Sequence, residues 1–165
     1  MSPTSSSAVT IRAAAADDSP AIGRLGALLV RTHHDLDPER FVAATTQTAG
    51  NYGSFLRTQL DQPDVVILVA EQHGKVIGYA YAGVEGRDYM SLRGPAGVLH
   101  DIVVDLAHRG QGVGRMLLDA ALAALEARGV PQVVLWTAEG NQAAQRLFAR
   151  AGFRRTMLEM TRSRA

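Results

Sequence analysis

The sequence predicts a mixed α/β fold, built around a predominantly antiparallel sheet that is flanked by helices. In the middle of the chain, two β-rich runs, Val65 to Gln72 and Val76 to Val84, are joined by His73-Gly74-Lys75, which is a hairpin signal. Further along, strand and helix patterns alternate, as in strand–helix–strand units. The two halves together give the element order β-α-α-β-β-β-α-β-α-β around one sheet.

Composition indicates an ordinary globular protein. The 165 residues suit one domain, 47% are apolar, 20% are charged and the formal net charge is only +1. No strong overall field would therefore draw the protein to nucleic acid or an anionic membrane. Cysteine is absent, which excludes disulfides, thiolate metal ligands and a cysteine nucleophile. We expect a disordered tail at residues 1–8, a single domain at residues 9–165 and a cytoplasmic location.

The first half of the chain contains a short strand, two helices and the hairpin. Residues 9–14 are predicted as the first strand. Asp18-Ser19-Pro20 resembles a helix start, with a capping side chain followed by proline in the first turn. A less regular segment follows from His33 to Asn51, and a second helix is predicted over residues 52–60. Core positions of the first helix recur at helical spacing, at Ile22, Leu25, Leu28 and Leu29.

The second half is predicted to alternate strands and helices. After a loop at residues 85–95, a buried strand is expected from Gly97 to Asp105, followed by a glycine-rich turn and a long helix through Arg128. Gly129 suits the left-handed position that ends this helix. The remaining elements are a strand at residues 132–137, a helix at residues 141–150 and a final strand region at residues 153–160.

The glycine-rich turn indicates a phosphate site. Gly110, Gly112 and Gly114 lie where the buried strand passes into the long helix. Glycines allow close approach of a ligand to the backbone, and the first amides of a helix lack intrahelical acceptors. With the helix dipole these amides attract phosphate, and Arg109 and Arg115 add positive charge. The alternative is a strand–helix turn with no ligand.

The spacing excludes two common phosphate motifs. A P-loop requires lysine followed by serine or threonine after its last glycine, but Arg115 and Met116 follow Gly114. A dinucleotide fingerprint requires a third glycine where Arg115 stands, and it normally follows the first strand of its unit.

The turn resembles the acetyl-CoA motif of the GNAT acetyltransferase superfamily, in which arginine or glutamine is followed, after two residues, by glycine, any residue, and glycine or alanine. Arg109-Gly-Gln-Gly112-Val-Gly114 fits this pattern. The resemblance implies the GNAT fold and acetyl-CoA as co-substrate. It also implies that the turn binds the diphosphate and that the preceding strand lies beside the pantetheine. The residues implicated are Ile102, Val103, Val104, Arg109, Gly110, Gln111, Gly112, Val113, Gly114 and Arg115.

A second GNAT-like motif follows at the expected distance. The segment from Asn141 to Phe153 is similar to the family's Asn…Ala…Leu-Tyr…Gly-Phe helix, which flanks the thiol end of coenzyme A. The resemblance implies cofactor contacts for Asn141, Ala144 and Phe148. Asn141 also suits an N-cap and Gly152 a position just beyond a helix end, so both have purely structural explanations.

The sequence departs from the family at both usual proton-handling positions. Phe148 replaces the tyrosine that protonates the departing thiolate in many relatives, and Trp136 stands where some relatives have a glutamate base. Thiolate is a good leaving group, and positioning and oriented amides can still promote transfer. An amine N-acetyltransferase is therefore the first hypothesis. A non-catalytic acyl-CoA-binding or regulatory module is the alternative.

Asp101 and His100 are the candidate general bases. A regular strand places His100 with Ile102 and Val104, which we expect in the core, and places Asp101 on the opposite, functional face. A β-bulge would change this assignment. Each residue also has a structural explanation, as a carboxylate bound to nearby backbone or as a buried histidine with its hydrogen bonds satisfied.

The acceptor is expected to be a small-molecule or peptide amine. In relatives, the early region and the loop after the hairpin line the acceptor cleft. His33-His34-Asp35 could suggest a metal, but adjacent residues rarely converge on one ion, so no metal site is expected. A homodimer through a sheet edge is possible for this fold, although no residue indicates one. The candidate acceptor contacts are His34, Asp35, Tyr52, Tyr81, Arg87, Asp88 and Tyr89, whereas Phe41 and Met90 are as well explained by packing.

Overall fold

The computed structural model describes residues 8–164; the first seven residues of the predicted disordered tail, and Ala165, lie outside the described residues. The strands are β1 (Thr10–Ala13), β2 (Val65–Gln72), β3 (Lys75–Glu85), β4 (Ala96–Val104) and β5 (Val133–Leu135). The α-helices are α1 (Ser19–Leu36), α2 (Thr48–Gln59), α3 (Val113–Glu126) and α4 (Gln142–Arg150).

The five strands form one sheet in the order β1-β2-β3-β4-β5. The first four pair antiparallel, and β5 pairs parallel to β4. This arrangement confirms the predicted mixed α/β fold with a predominantly antiparallel sheet. Within residues 8–164, none of the helices combines the length and apolar character needed to span a membrane.

Helices cover both faces of the sheet, because successive side chains of the strands alternate. On one face, Tyr79 and Val103 pack with residues of α1 and α2, including Leu25 and Leu56. On the other face, Leu117 and its neighbours on α3 pack against small residues of β3 and β2. The sheet therefore has two cores, and β4 contributes to both.

The start of α1 differs from its prediction. Asp18 does not cap the helix with its side chain. Its carboxylate instead accepts hydrogen bonds from Arg12, at 2.7 and 2.9 Å, and from the Ala15 amide at 2.7 Å. Arg12 also pairs with Glu71 on β2. The arginine thus ties the first strand to the start of α1, and Asp18 is occupied by this cluster.

The α1–α2 contact depends on glycines. A Cβ added at Gly23 would lie 2.2 Å from the Ala49 carbonyl oxygen, and one at Gly53 would lie 2.5 Å from the Ser19 carbonyl oxygen. At Gly26 an added Cβ would meet the Tyr52 ring at 2.2 Å. Only glycine permits this approach, which brings the Tyr52 side chain of α2 over the sheet.

We expect Gly23→Ala to destabilise the protein by about 2 kcal/mol or more, because the backbone carbonyl it meets cannot move away cheaply. Gly50→Ala is the matched control within the contacting helix, since nothing lies within 4 Å of its added Cβ. That control should be neutral or more stable by roughly 0.5–1 kcal/mol. Urea denaturation of both variants measures the difference, and equal stabilities would contradict the close contact.

The predicted final strand at residues 153–160 is wrong. The described sheet ends at β5, and the segment after α4 forms no strand. Its adjacent apolar residues Met157 and Leu158 are 69% and 75% exposed. β-prone composition does not create a strand unless a neighbouring edge accepts its hydrogen bonds, and the prediction assumed such an edge.

Candidate active site

A β-bulge in β4 determines which side chains face the candidate site. Tyr81 is paired with Asp101, but the next residue, Ala82, is paired with Leu99, so His100 is the extra residue. Leu99 consequently packs in the α3-side core with Ile102, while the His100 ring stacks on Tyr81 on the opposite face. The regular-strand prediction for His100 is therefore wrong, because the bulge turns it onto the same face as Asp101.

A cavity opens where β4 and β5 diverge. The two strands pair only from Gly97 to Leu99, opposite residues 133–135, and β4 continues to Val104 without β5 beside it. The cavity at this divergence has a volume of about 240 Å³. It extends from the divergence to α1 and the loop that follows α1. Its lining residues are Leu29, Val30, His33, Phe41, Val42, Leu99, His100, Asp101, Ile102, Leu135, Trp136, Thr137, Asn141, Ala144 and Phe148.

Asp101 is the cavity's carboxylate. Its Oδ2 atom accepts hydrogen bonds of 2.9 Å from both the Tyr52 and Tyr79 hydroxyls. Burial, together with the Asp101 charge, raises the pKa of both tyrosines well above its ordinary value, so both hydroxyls remain donors. Within residues 8–164, the second oxygen, Oδ1, has no hydrogen-bond partner and is not sealed inside protein.

Burial also raises the pKa of the Asp101 carboxyl above its ordinary value. The two tyrosine hydrogen bonds and the nearby His100 and His33 act in the opposite direction. Two hydroxyl donors thus hold one oxygen of the carboxylate, and burial makes ionisation of the group less favourable than in water. Such a group binds a cation or donor readily through its free oxygen.

His33 and His34 lie in the last turn of α1 and have different environments. The His33 Nδ1 atom lies 2.9 Å from the Leu29 carbonyl oxygen, and its ring meets the Phe41 ring edge-on at 5.0 Å. The His34 Nδ1 atom lies 2.9 Å from the Phe41 carbonyl oxygen. His34 therefore fixes the loop after α1, whereas His33 lines the cavity.

His100, unlike His33, contacts β3 near its Glu85 end. Its ring stacks on Tyr81 with centroids 4.8 Å apart, and its Nε2 atom lies 3.5 Å from Glu85. Glu85 also accepts a hydrogen bond of 2.9 Å from Arg93, whose side chain is 8% exposed. His100 thus connects the cavity, which it lines, to the Glu85–Arg93 ion pair.

The glycine turn has the geometry of an anion site. Gly110 and Gly112 have φ angles of +73° and +83°, and a Cβ at either position would meet nothing within 4 Å. Within residues 8–164, the backbone amides of residues 111–115 have no hydrogen-bond acceptor. Arg109 Nε bonds the Val104 carbonyl oxygen at 3.1 Å, so its side chain lies along the end of β4.

The α4 segment forms the wall opposite β4. Asn141 caps the helix, since its Oδ1 accepts a hydrogen bond of 3.2 Å from the Ala144 amide. Gly152 has a φ of +92° just beyond the helix, which confirms its structural explanation. Phe148 is buried, lines the cavity and meets Phe153 edge-on at 5.9 Å.

The structure brings together some of the predicted site residues and separates others. The cavity is lined by six of them: His100, Asp101, Ile102, Asn141, Ala144 and Phe148. Tyr52 reaches it through Asp101. Val103 faces the α1-side core, and Arg87 lies over the exposed Tyr89 ring in the loop after β3. Asp88 is satisfied within that loop, through Ser91 and the Met90 amide.

Sequence reasoning missed His33 and Tyr79 as site residues. Tyr79 lies in a β-rich run where it resembles any core aromatic residue. Its contact with Asp101 is visible only in the structure, where Tyr79 pairs with Val103 and its hydroxyl reaches the neighbouring carboxylate. His33 could have been separated from His34 by helical spacing, since it lies four residues after the apolar Leu29. The described residues contain no cluster of three or more side chains suited to holding a metal ion.

Comparison with known proteins identifies the family. The model of the acetyltransferase (GNAT) family matches residues 29–153, which include β4, the glycine turn and α4. The chain belongs to this family.

Similar proteins include mycothiol acetyltransferases. The chain is 38% identical over 96 residues to one from Thermobispora bispora, covering 56% of this chain and 31% of that protein. It is 30% identical over 154 residues to one from a Nocardioides species, covering 88% of this chain and 50% of that protein. The chain therefore spans half or less of these curated relatives.

Solved structures share the fold. A predicted acetyltransferase from Clostridium acetobutylicum, solved with acetyl-CoA, superposes with a TM-score of 0.71 at 16% identity, covering 93% of this chain and 96% of that chain.

Proposed function

We propose that this protein transfers the acetyl group of acetyl-CoA to a primary amine by direct attack within a ternary complex. Two neighbouring features carry the proposal: amides at the mouth of α3 that have no acceptor within residues 8–164, and a cavity where β4 and β5 diverge. Family membership and the acetyl-CoA complex of a structural neighbour support the choice of cofactor.

The residues at the glycine turn fit coenzyme A. Amides of residues 111–115 lack acceptors within the described chain, and the two positive-φ glycines leave open space in front of them. A diphosphate would accept these hydrogen bonds at a positively polarised helix end. Arg109 adds positive charge beside the turn, where its Nε atom donates to the Val104 carbonyl oxygen, whereas Arg115 is paired with Asp119 on α3. Bound there, acetyl-CoA supplies the activated acetyl thioester.

The cavity fits the thioester and the acceptor amine. Ile102 on β4 and Phe148 on α4 form apolar walls, and β4 beyond Leu99 presents backbone that β5 does not cover. Oriented amides there can stabilise negative charge on the thioester oxygen. Asp101 and His100 remain the candidate bases from the sequence, and both line the cavity.

The acceptor is a small-molecule or peptide amine that carries little further positive charge. Asp101 is the one carboxylate among the residues lining the cavity, and apolar side chains such as Leu29, Phe41 and Trp136 form much of the remaining wall. A polycation would require several carboxylates to replace its hydration. Monoamines with an apolar body suit these walls better than polyamines do.

A non-catalytic acyl-CoA-binding module remains the second candidate, because Phe148 and Trp136 carry no group that handles protons in this reaction. Binding and turnover separate the two. Turnover with any amine excludes the binding module, whereas tight acetyl-CoA binding without turnover favours it.

We expect calorimetry to detect acetyl-CoA binding, and a screen of amines to detect thiol release. In that screen, apolar monoamines should be acetylated with a higher kcat/KM than spermidine or an aminoglycoside, because the cavity offers one carboxylate. Mass spectrometry of the product identifies the acetylated nitrogen. Absence of binding by both acetyl-CoA and coenzyme A would refute the proposed function.

A further inference from the structure

Two hydrogen-bond acceptors among the side chains lining the cavity have no partner in the described part of the chain. Asp101 Oδ1 is free because both tyrosine hydroxyls bond the other oxygen. His33 supplies the second acceptor from α1; it lines the same cavity and is near enough to Asp101 to act on the pKa of that carboxyl. A primary amine has at least two N–H donors, which matches this pair of acceptors.

The backbone fixes the tautomer of His33. A carbonyl oxygen can only accept a hydrogen bond, so the Nδ1 atom that lies 2.9 Å from the Leu29 oxygen must carry a proton. In the neutral ring, the lone pair is therefore on Nε2. Within residues 8–164, Nε2 has no hydrogen-bond partner, and the edge-on contact with Phe41 holds the ring in place.

The other ionisable groups lining the cavity contact protein groups through the atoms that would meet a ligand. His100 stacks on Tyr81, and its Nε2 atom lies 3.5 Å from Glu85. Asp101 Oδ2 already accepts two hydrogen bonds from tyrosine hydroxyls, so only Oδ1 is left to contact a ligand. Its free oxygen is suited to holding an amine rather than to removing its proton.

We infer that His33 is the general base of the acetyl transfer, with Nε2 accepting the proton of the attacking amine while Asp101 Oδ1 holds the same nitrogen. This inference rests on the proposed function. It names a residue on α1 that the GNAT-like motifs of the sequence do not include.

The proposed acetyl transfer balances in bonds and protons. The neutral amine nitrogen forms a bond to the acetyl carbonyl carbon, and the carbon–sulfur bond breaks with its electron pair leaving on sulfur. One proton passes from the nitrogen to His33 Nε2. The imidazolium then returns that proton to solvent, and the thiolate of coenzyme A takes one proton from solvent. The products are the acetylated amine and the thiol.

The test compares His33→Gln with a matched histidine variant. We expect His33→Gln to lower kcat by about 100-fold, the lower range for loss of a general base, while calorimetric acetyl-CoA affinity stays unchanged. His73→Asn is the control, because His73 lies at the β2–β3 hairpin tip with a φ of +51°, a conformation that asparagine tolerates. Thermal denaturation establishes that both variants are folded.

The pH profile supplies a second readout. The titratable side chains lining the cavity are His33, His100 and Asp101, and Tyr52 and Tyr79 reach it through Asp101. A histidine base gives an acidic limb in kcat, where activity falls as the imidazole becomes protonated. This limb should disappear in His33→Gln and persist in His100→Gln.

A third readout does not require turnover. Nitrogen NMR of histidine-labelled protein should show neutral His33 with its proton on Nδ1, and its Nε2 signal should shift when a monoamine acceptor is added. A His33 ring with its proton on Nε2, or a kcat of His33→Gln within about threefold of wild type, refutes the role of His33. Either result leaves the proposed acetyl transfer standing. A wild-type protein without acetyl-CoA binding or turnover refutes the proposed function and, with it, this role.

Discussion

Gly112→Glu is expected to weaken acetyl-CoA binding by roughly 100-fold or more, the equivalent of about 3 kcal/mol, through loss of charge-assisted hydrogen bonds and added repulsion. Gly112 precedes α3 with a φ of +83°, and the space before it is open. A glutamate there would place a carboxylate where a diphosphate needs the free amides. Isothermal titration calorimetry with acetyl-CoA measures the change.

Backbone strain must be separated from the electrostatic effect, because any side chain at a positive φ destabilises the fold. Gly74→Glu is the matched control. Gly74 has a φ of +71° at the hairpin tip, and an added Cβ there also meets nothing within 4 Å. Both variants should lose similar stability, but only Gly112→Glu should lose affinity. Equal acetyl-CoA affinities in the two folded variants would refute the assignment of the turn.

The parts of the site that follow one another in the chain were predictable from sequence. A buried strand, three glycines and a helix are consecutive, so the free amides of the proposed anion site at the mouth of α3 follow from local geometry alone. The same holds for α4, where Asn141 caps the start and Gly152 takes the left-handed position at the end. In these segments, each residue's conformation depends mainly on its immediate neighbours.

The contacts between distant segments were not predictable. The bulge at His100 depends on how β4 meets β3, and a single extra residue changed the face of that side chain. Likewise, Tyr52 reaches Asp101 only because glycines allow α2 to approach α1 closely. The strand prediction for residues 153–160 was wrong for the same reason, since strand formation depends on a sheet edge elsewhere in the fold. The proposed acceptor half of the site is built from such contacts.

Asp101→Asn is expected to lower kcat/KM for the amine by about 100-fold or more, because the variant removes the charge that holds the attacking nitrogen. Acetyl-CoA affinity should stay unchanged, since the glycine turn is a separate part of the site. Asp61→Asn is the control, an exposed carboxylate in the loop after α2. Steady-state thiol release measures both variants, and wild-type kinetics for Asp101→Asn would exclude the carboxylate from the reaction.

The same variant has an expected signature in stability. Burial raises the pKa of the Asp101 carboxyl, so folding favours the protonated carboxyl more than the unfolded chain does. That contribution to stability is present at low pH and is lost as the pH rises through the folded-state pKa. Asparagine does not ionise, so the Tm of Asp101→Asn relative to wild type should increase from about pH 4 to about pH 8. Thermal denaturation across this range measures the trend. A relative Tm that falls with rising pH would mean that the folded protein stabilises the ionised Asp101 carboxylate. The ionised carboxylate would then not be a destabilising charge that an amine neutralises on binding.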